Sequence, residues 1–122
     1  MDDTNTTLAD LKQVLAQFVA ERDWEQFHTP KNLSMSLAIE AAELMEHFQW
    51  IDGPESRRVV DDPAKLAAIR DEMADVFCYL LALANTLDVD LAMAVREKMV
   101  KNAAKYPAEQ SRGRYDPPGN TE

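Results

Sequence analysis

Two short acidic motifs, E-A-A-E and E-M-A-D, lie inside otherwise apolar segments of the sequence. The first contains Glu40 and Glu43, and the second contains Glu72 and Asp75. Residues three apart project from the same side of a helix, so each motif offers two carboxylates to one point in space. Two like charges about 4 Å apart repel by roughly 4 kcal/mol at an effective dielectric constant of about 20. A bound divalent cation would neutralise them, and the spacing therefore predicts a metal site.

The chemistry of these ligands narrows the choice of metal. Carboxylate oxygens without cysteine or clustered histidine favour Mg²⁺, with Mn²⁺ as the alternative, over zinc. Di-iron helical bundles use a Glu-x-x-His pair, and neither motif has a histidine at that spacing. A single E-x-x-E is most often a solvated helix face, so the prediction depends on finding two such motifs. Glu46 extends the first motif, and the sequence leaves open whether it binds metal or faces solvent.

Ring side chains follow each acidic pair at helical spacing. His47 and Trp50 continue the first pair, and Tyr79 continues the second. Taken singly, each is more simply a core, interface or surface residue. A stripe of basic and amide side chains suited to phosphate oxygens lies further along the chain. This stripe consists of Lys98, Asn102 and Lys105.

Helices must position these residues, because period-3.6 patterns recur and the 122 residues include only three glycines. The patterns predict an all-α, four-helix-bundle-like domain over residues 1–107, followed by a loosely ordered tail over 108–122. The expected helices span 6–23, 30–50, 63–86 and 91–105. An aromatic loop over 24–31 joins the first two, and a polar connection over 53–62 precedes the third.

Composition restricts the partners. Twenty-two acidic against thirteen basic residues give a formal charge of −9, which argues against a nucleic acid polymer as the ligand. The single cysteine, Cys78, has no intramolecular disulfide partner. Residues 1–4 lack a leader pattern, and no apolar run reaches the roughly 20 residues that span a bilayer. We expect a soluble, cytoplasmic protein without a membrane partner. The third helix is apolar on nearly all sides, which predicts an oligomer.

Beyond the acidic motifs, three segments carry a resemblance to a known family. They are ERDWEQFH over 21–28, FQW over 48–50, and KMVKNAAKYP over 98–107. With the two acidic motifs, they resemble the MazG-type all-α nucleoside triphosphate pyrophosphohydrolases, and among these the deoxycytidine triphosphate pyrophosphatase branch. The resemblance extends from about Leu8 to Arg114. Vertebrate members carry a histidine near the base pocket where this sequence has Leu15, and the family's tail pattern is lost at 116–118.

The resemblance implies a homotetramer, or at least a homodimer, with active sites formed partly between subunits. It also implies Mg²⁺-dependent hydrolysis of a deoxynucleoside triphosphate, most closely dCTP or a modified dCTP, to the monophosphate and pyrophosphate. The implied metal ligands are Glu40, Glu43, Glu72 and Asp75. The implied catalytic residues are Glu43, Lys98 and Lys105. The implied substrate-binding residues are Trp24, His28, Trp50, Tyr79, Lys98, Asn102, Lys105 and Tyr106.

Two other interpretations stay open at this stage. One is a broad hydrolase that removes damaged or modified triphosphates from the nucleotide pool without preferring dCTP. The other is a non-catalytic helical interaction module whose acidic motifs bind a structural ion or a basic partner. The sequence does not fix the base and sugar specificity, the number of metal ions or the phosphorus attacked.

Overall fold

The computed structural model describes residues 1–114, and all regular structure in that range is helical. The longer helices are α1 (Leu8–Glu21), α2 (Pro30–Glu46), α4 (Pro63–Leu87) and α5 (Leu91–Lys105). The shorter ones are α3 (Gly53–Arg57) and α6 (Ala108–Ser111), with 3₁₀ turns at Glu25–Phe27 and Arg58–Asp61. The all-α prediction is therefore confirmed. The expected loose tail falls partly on residues 115–122, which lie outside the described residues.

Side-chain caps explain where the long helices begin. Thr7, Thr29, Asp62 and Asp90 each accept a hydrogen bond from the backbone N–H three residues further on. Such a cap satisfies one of the N–H groups that the first helical turn leaves unpaired. Proline follows the cap of α2 and of α4, where its missing N–H costs nothing.

The predicted helix boundaries differ from the observed ones in two places that affect the site. α2 ends at Glu46 rather than at Trp50, because the next N–H groups, of His47 and Phe48, donate to carbonyls three residues back. This tighter winding ends the helical register before Trp50. The segment 53–62 is also not a plain connection, since the Asp52 carboxylate caps α3 by accepting a hydrogen bond from the N–H of Glu55.

The described part of the chain divides after Asp88 into two compact units, the first over Met1–Asp88 and the second beginning at Val89. In the first unit, α1 and α2 both pack against α4. The buried apolar side chains are Val19 on α1, Leu33 on α2, and Ile69, Leu81, Ala82 and Ala84 on α4. Two side chains contact the rest of the unit from the last turns of α4. Asn85 Nδ2 donates a hydrogen bond to the Lys12 carbonyl at 3.0 Å. The Thr86 hydroxyl donates to the Ala82 carbonyl at 3.0 Å and also lies 3.4 Å from the His28 carbonyl.

The second unit contains α5 and α6, and no side chain of α5 is buried. The observed bounds of α5 are the predicted ones. That residues 1–107 form a single domain stays a prediction. Within residues 1–114, no single helix is long and apolar enough to cross a membrane. α4 and α5 meet the combined test of length and composition only when counted together as a broken segment, and core helices can do the same.

Candidate metal centre and adjoining cavities

Three carboxylates from two helices meet in the first unit. Glu40 and Glu43 lie one turn apart on α2, and Glu72 lies on α4. Each offers one oxygen, and the three oxygens lie within 4.8 Å of one another. All three side chains are half-buried. Because α2 packs directly on α4, the two acidic motifs predicted from the sequence face each other.

Two oxygens in this cluster point to a cation. Among the described residues, Glu40 Oε2 and Glu72 Oε2 are buried without a hydrogen-bond partner. Buried acceptors are nearly always satisfied by a donor, by water or by an ion. Negative oxygens from several carboxylates are the ligands that Mg²⁺ and other hard divalent cations prefer. The donor set therefore fits such a cation.

One carboxyl of the cluster, that of Glu40, keeps its proton to a higher pH than an ordinary glutamate. The adjacent Glu43 carboxyl, to which a protonated Glu40 donates a hydrogen bond, is the main cause that raises the pKa of Glu40 to about 7. Burial and the negative charges of Glu43 and Asp75 act in the same direction. A carboxyl surrounded by other carboxylates loses its proton late, because its ionised form is repelled by them. In the absence of metal, Glu40 therefore titrates near neutral pH.

Asp75 connects the cluster to a neighbouring cavity. Its carboxylate lies outside the group of three, but its charge contributes to the raised pKa of Glu40. It also lines a cavity of about 330 Å³ between α1, α4 and the loop after α1, which we call the aromatic cavity. Phe18, Trp24 and Tyr79 supply aromatic rings to its wall. An apolar ring system bound here would lie next to the acidic cluster.

Cys78 also lines the aromatic cavity. Burial, and then the nearby Asp75 charge, raise the pKa of its thiol above the ordinary value. Since the thiolate is the reactive form, this environment keeps Cys78 protonated and unreactive at neutral pH.

A second cavity of about 310 Å³ adjoins the first. Its polar lining residues are Glu25, His28, Asn85 and Thr86, and we call it the polar cavity. The two cavities share a wall formed by Leu15, Val19, His28 and Ala82. His28 is thus the one imidazole that reaches both cavities among their lining residues.

The structure brings together some of the predicted substrate-binding residues. Trp24, His28 and Tyr79 line the aromatic cavity beside Asp75. Trp50 does not join them, because α2 has already ended; its side chain is 87% exposed and lies outside the lining of both cavities. His47 is half-buried directly after α2. Glu46 is exposed and lies outside the group of three carboxylates.

The predicted phosphate-binding residues belong to the second unit. Lys98, Asn102 and Lys105 lie on α5, and Tyr106 follows it directly. The Lys105 ammonium nitrogen lies 5.3 Å from the centre of the Tyr106 ring. The two lysines are exposed, whereas Asn102 and Tyr106 are half-buried. Their roles toward a substrate stay predictions.

The contribution of α1 to the aromatic cavity is not among the features predicted from the sequence. Val14 and Phe18 lie on the apolar face of α1, yet they are 46% and 44% exposed and line the cavity. The sequence carries no signal of this cavity, because Leu11, Val14, Leu15, Phe18 and Val19 follow the ordinary i, i+3, i+4, i+7, i+8 spacing of a helix that packs on a core. No signal marks Asn85 and Thr86 as lining residues either.

Comparisons with known proteins agree with this architecture. The model of the MazG-like family matches residues 35–116. The dCTP pyrophosphatase 1 of Rattus norvegicus is 47% identical over 107 residues, which are 88% of this chain and 63% of that protein. The human dCTP pyrophosphatase 1 is 46% identical over 106 residues, 87% of this chain and 62% of that protein. The chain thus spans less than two thirds of the length of these curated relatives.

A solved structure extends the likeness to three dimensions. The crystal structure of a pyrophosphatase from Archaeoglobus fulgidus superposes with a TM-score of 0.77 at 37% sequence identity, and the match covers 88% of this chain and 98% of that one. The resemblance drawn from the acidic motifs and the aromatic loop is thereby confirmed. The chain belongs to the MazG-like family.

Proposed function

We propose that this protein is a Mg²⁺-dependent pyrophosphohydrolase that converts dCTP, or dCTP with a modified base, to the monophosphate and pyrophosphate. The observation that carries the proposal is the cluster of Glu40, Glu43 and Glu72, with two buried unpartnered oxygens, beside a cavity lined by aromatic rings. A nucleotide needs both parts, because its phosphates bind through metal and its base binds through stacking. The names of the relatives support the choice of dCTP.

Glu40, Glu43 and Glu72, with Asp75 as a fourth ligand, would hold Mg²⁺, or Mn²⁺ in its place. The bound cation would neutralise charge on the phosphate oxygens. Glu43 has a second role in this proposal: it orients the attacking water and accepts its proton. Water then adds to phosphorus, the bond joining the monophosphate to the pyrophosphate breaks, and pyrophosphate leaves.

The aromatic cavity would hold the base. Trp24 and Tyr79 offer faces and edges for stacking, and each stacked base gains about 1–3 kcal/mol in known single-strand binding proteins. The negative charge of the protein repels free nucleotide, so binding must depend on the metal and on this stacking.

We propose that the active protein is a homo-oligomer, at least a dimer and in the family's form a tetramer. Large apolar side chains are exposed one turn apart on two helices: Met35 and Ile39 on α2, and Met73 and Phe77 on α4. Monomeric proteins rarely leave such side chains grouped in solvent. Light scattering of the wild type and of an Ile39→Glu variant tests this: assembly in the former and a smaller species in the latter support the proposal, and a wild-type monomer contradicts it.

The function is tested by measuring pyrophosphate release from canonical and base-modified deoxynucleoside and ribonucleoside triphosphates, with Mg²⁺ and then with a chelator. Release that needs Mg²⁺ and is strongest for deoxycytidine triphosphates supports the full proposal. Similar release rates from all triphosphates would support the reaction but not the preference for dCTP. The enzyme would then be a broad hydrolase that removes damaged or modified triphosphates from the nucleotide pool.

If no nucleotide releases pyrophosphate, the remaining hypothesis is a non-catalytic interaction module. Thermal unfolding then separates a structural ion site from a nucleotide site. A ligand that binds only the folded state raises the unfolding temperature, by an amount that grows with the logarithm of the ligand concentration above Kd. An interaction module responds to Mg²⁺ alone, whereas a nucleotide-binding protein gains further stability when nucleotide is added to Mg²⁺.

A further inference from the structure

Three side chains near the C-terminal end of α1 contact one another in a row, which we call the stack: Arg22, Phe18 and Trp24. The Arg22 guanidinium carbon lies 3.7 Å from the centre of the Phe18 ring. The Phe18 ring in turn meets the Trp24 indole edge-on, with ring centres 5.7 Å apart and planes at 73°. Cation–π and edge-to-face contacts of this kind are both attractive, because the face of an aromatic ring is negative and its edge is positive.

The guanidinium is fixed over the ring by two further contacts. Arg22 Nη1 donates a hydrogen bond to the Phe18 carbonyl at 3.0 Å, and it lies 3.7 Å from Glu21 Oε2. The side chain therefore folds back along its own helix instead of extending into solvent. This places a positive charge against Phe18, a ring that is itself 44% exposed and lines the aromatic cavity.

Backbone conformation and hydrogen bonding fix the position of the Trp24 backbone, but they do not fix the orientation of its ring. Asp23 adopts a left-handed conformation with φ of 54°, and the Trp24 N–H donates to the Val19 carbonyl at 3.1 Å. The chain thereby reverses and returns Trp24 to α1. The indole is still 43% exposed, so core packing alone does not hold it. Within residues 1–114, the Phe18 ring is the aromatic ring that packs against the indole.

We propose that Phe18 and Arg22 are positioning residues for Trp24: they hold its indole in the wall of the aromatic cavity and so set the affinity for the base of the substrate. The proposal rests on the proposed function, because it takes the aromatic cavity as the base site. Neither residue belongs to the carboxylate cluster. Arg22 acts on substrate binding through Phe18 and Trp24. Phe18 also lines the cavity, so it acts both directly and through Trp24, and the chemical step depends on neither residue.

Fluorescence of Trp24 tests the positioning directly. The chain has two tryptophans, so a Trp50→Phe background leaves Trp24 as the only tryptophan, which is excited selectively at wavelengths beyond the tyrosine absorption band. In that background, Arg22→Gln and Phe18→Leu should lower the indole anisotropy and increase quenching by acrylamide. Arg22→Lys keeps the charge and should restore part of the signal. Arg57→Gln, which removes the same charge from the exposed surface of α3, is the matched control.

Kinetics with dCTP, in the chain that keeps Trp50, separate positioning from catalysis. Arg22→Gln should raise KM about two- to fivefold, the range that one exposed cation–π contact supports, and leave kcat unchanged. With Phe18→Leu already present, adding Arg22→Gln should have no further effect, because the two residues act through one stack.

Unchanged anisotropy and quenching in Arg22→Gln and Phe18→Leu would overturn the proposal, as would a fall in kcat at constant KM. An additive double variant would also overturn it, since the two residues would then act separately. If the wild type releases no pyrophosphate, the proposed function fails, while the fluorescence of Trp24 still decides whether Phe18 and Arg22 hold the indole.

Discussion

Replacing Glu40 by glutamine tests whether the acidic cluster stores a proton that a metal must displace. The hydrogen bond with Glu43, burial and the surrounding negative charges raise the pKa of Glu40 from the ordinary 4.5 to about 7. Half of the metal-free molecules therefore carry this proton at pH 7. A cation binds carboxylates in their ionised form, so its binding releases whatever proton the site holds.

The number of protons released per cation follows from that pKa. With a value of about 7, binding releases about 0.9 proton at pH 6, about half a proton at pH 7 and about 0.1 proton at pH 8. The apparent affinity for Mg²⁺ therefore rises between pH 6 and pH 8 and levels off above. The Glu40→Gln variant has no such proton to release.

Isothermal titration calorimetry with Mg²⁺, repeated at each pH in two buffers of different ionisation enthalpy, measures the released protons. Glu46→Gln is the matched control, because it removes an exposed carboxylate from the same helix, outside the group of three. It should release protons as the wild type does. The reasoning is refuted if the wild type releases the same number of protons at every pH, or if Glu40→Gln releases as many.

The same substitution has a second readout in the stability of the metal-free protein. The unfolded chain loses the Glu40 proton near pH 4.5, whereas the folded protein keeps it to about pH 7. The folded state thus binds more protons between these values, and the free energy of unfolding falls as pH rises through this window. Relative to Glu40→Gln, the unfolding temperature of the wild type should decline from pH 4.5 to 7 and then stay level. Parallel curves would contradict the assignment.

Three further substitutions probe the cluster, the cavity and the core. Glu43→Gln should lower kcat at least about 100-fold, the usual loss for a general base, while nucleotide still stabilises the fold; near-normal turnover would remove Glu43 from the reaction. Trp24→Ala should raise KM for dCTP about 5- to 150-fold, the equivalent of one lost stacking contact. If Trp50→Ala raises KM more than Trp24→Ala does, the base binds at Trp50 instead. Leu81→Ala, at a side chain only 1% exposed, should cost about 2–5 kcal/mol in the free energy of unfolding measured with urea, and a loss below that range would contradict its place in the core.

Local sequence patterns predicted the parts of the site that depend on neighbouring residues. The pairing of Glu40 with Glu43 follows from helical spacing. The predicted start of α2 at Pro30 follows from the preference of proline for the first helical turn, and the structure adds the Thr29 cap before it. The end of α2 was less predictable. Apolar and ring residues continue the helical pattern to Trp50, but the backbone tightens after Glu46, and nothing in the side-chain pattern records that change.

Helical periodicity also does not predict whether an apolar helix face packs on another helix, lines a cavity or faces solvent. Val14 and Phe18 are apolar and correctly spaced for a core, yet α4 does not cover them and they line a cavity instead. Periodicity fixes the direction of a side chain about its own helix axis. Whether that direction leads to a neighbouring helix, a cavity or solvent depends on how the helices pack.

The sequence by itself determined that the chain is helical, where its long helices begin, and that each of two helices presents a pair of carboxylates. These properties depend on contacts within three or four residues, which local spacing specifies. Only the tertiary structure decided that Glu72 meets Glu40 and Glu43, that two of their oxygens are buried without partners, and that Trp24 lines a cavity while Trp50 does not. Those properties arise when α2 and α1 pack on α4, because burial and charge repulsion between distant residues exist only once the helices are in contact.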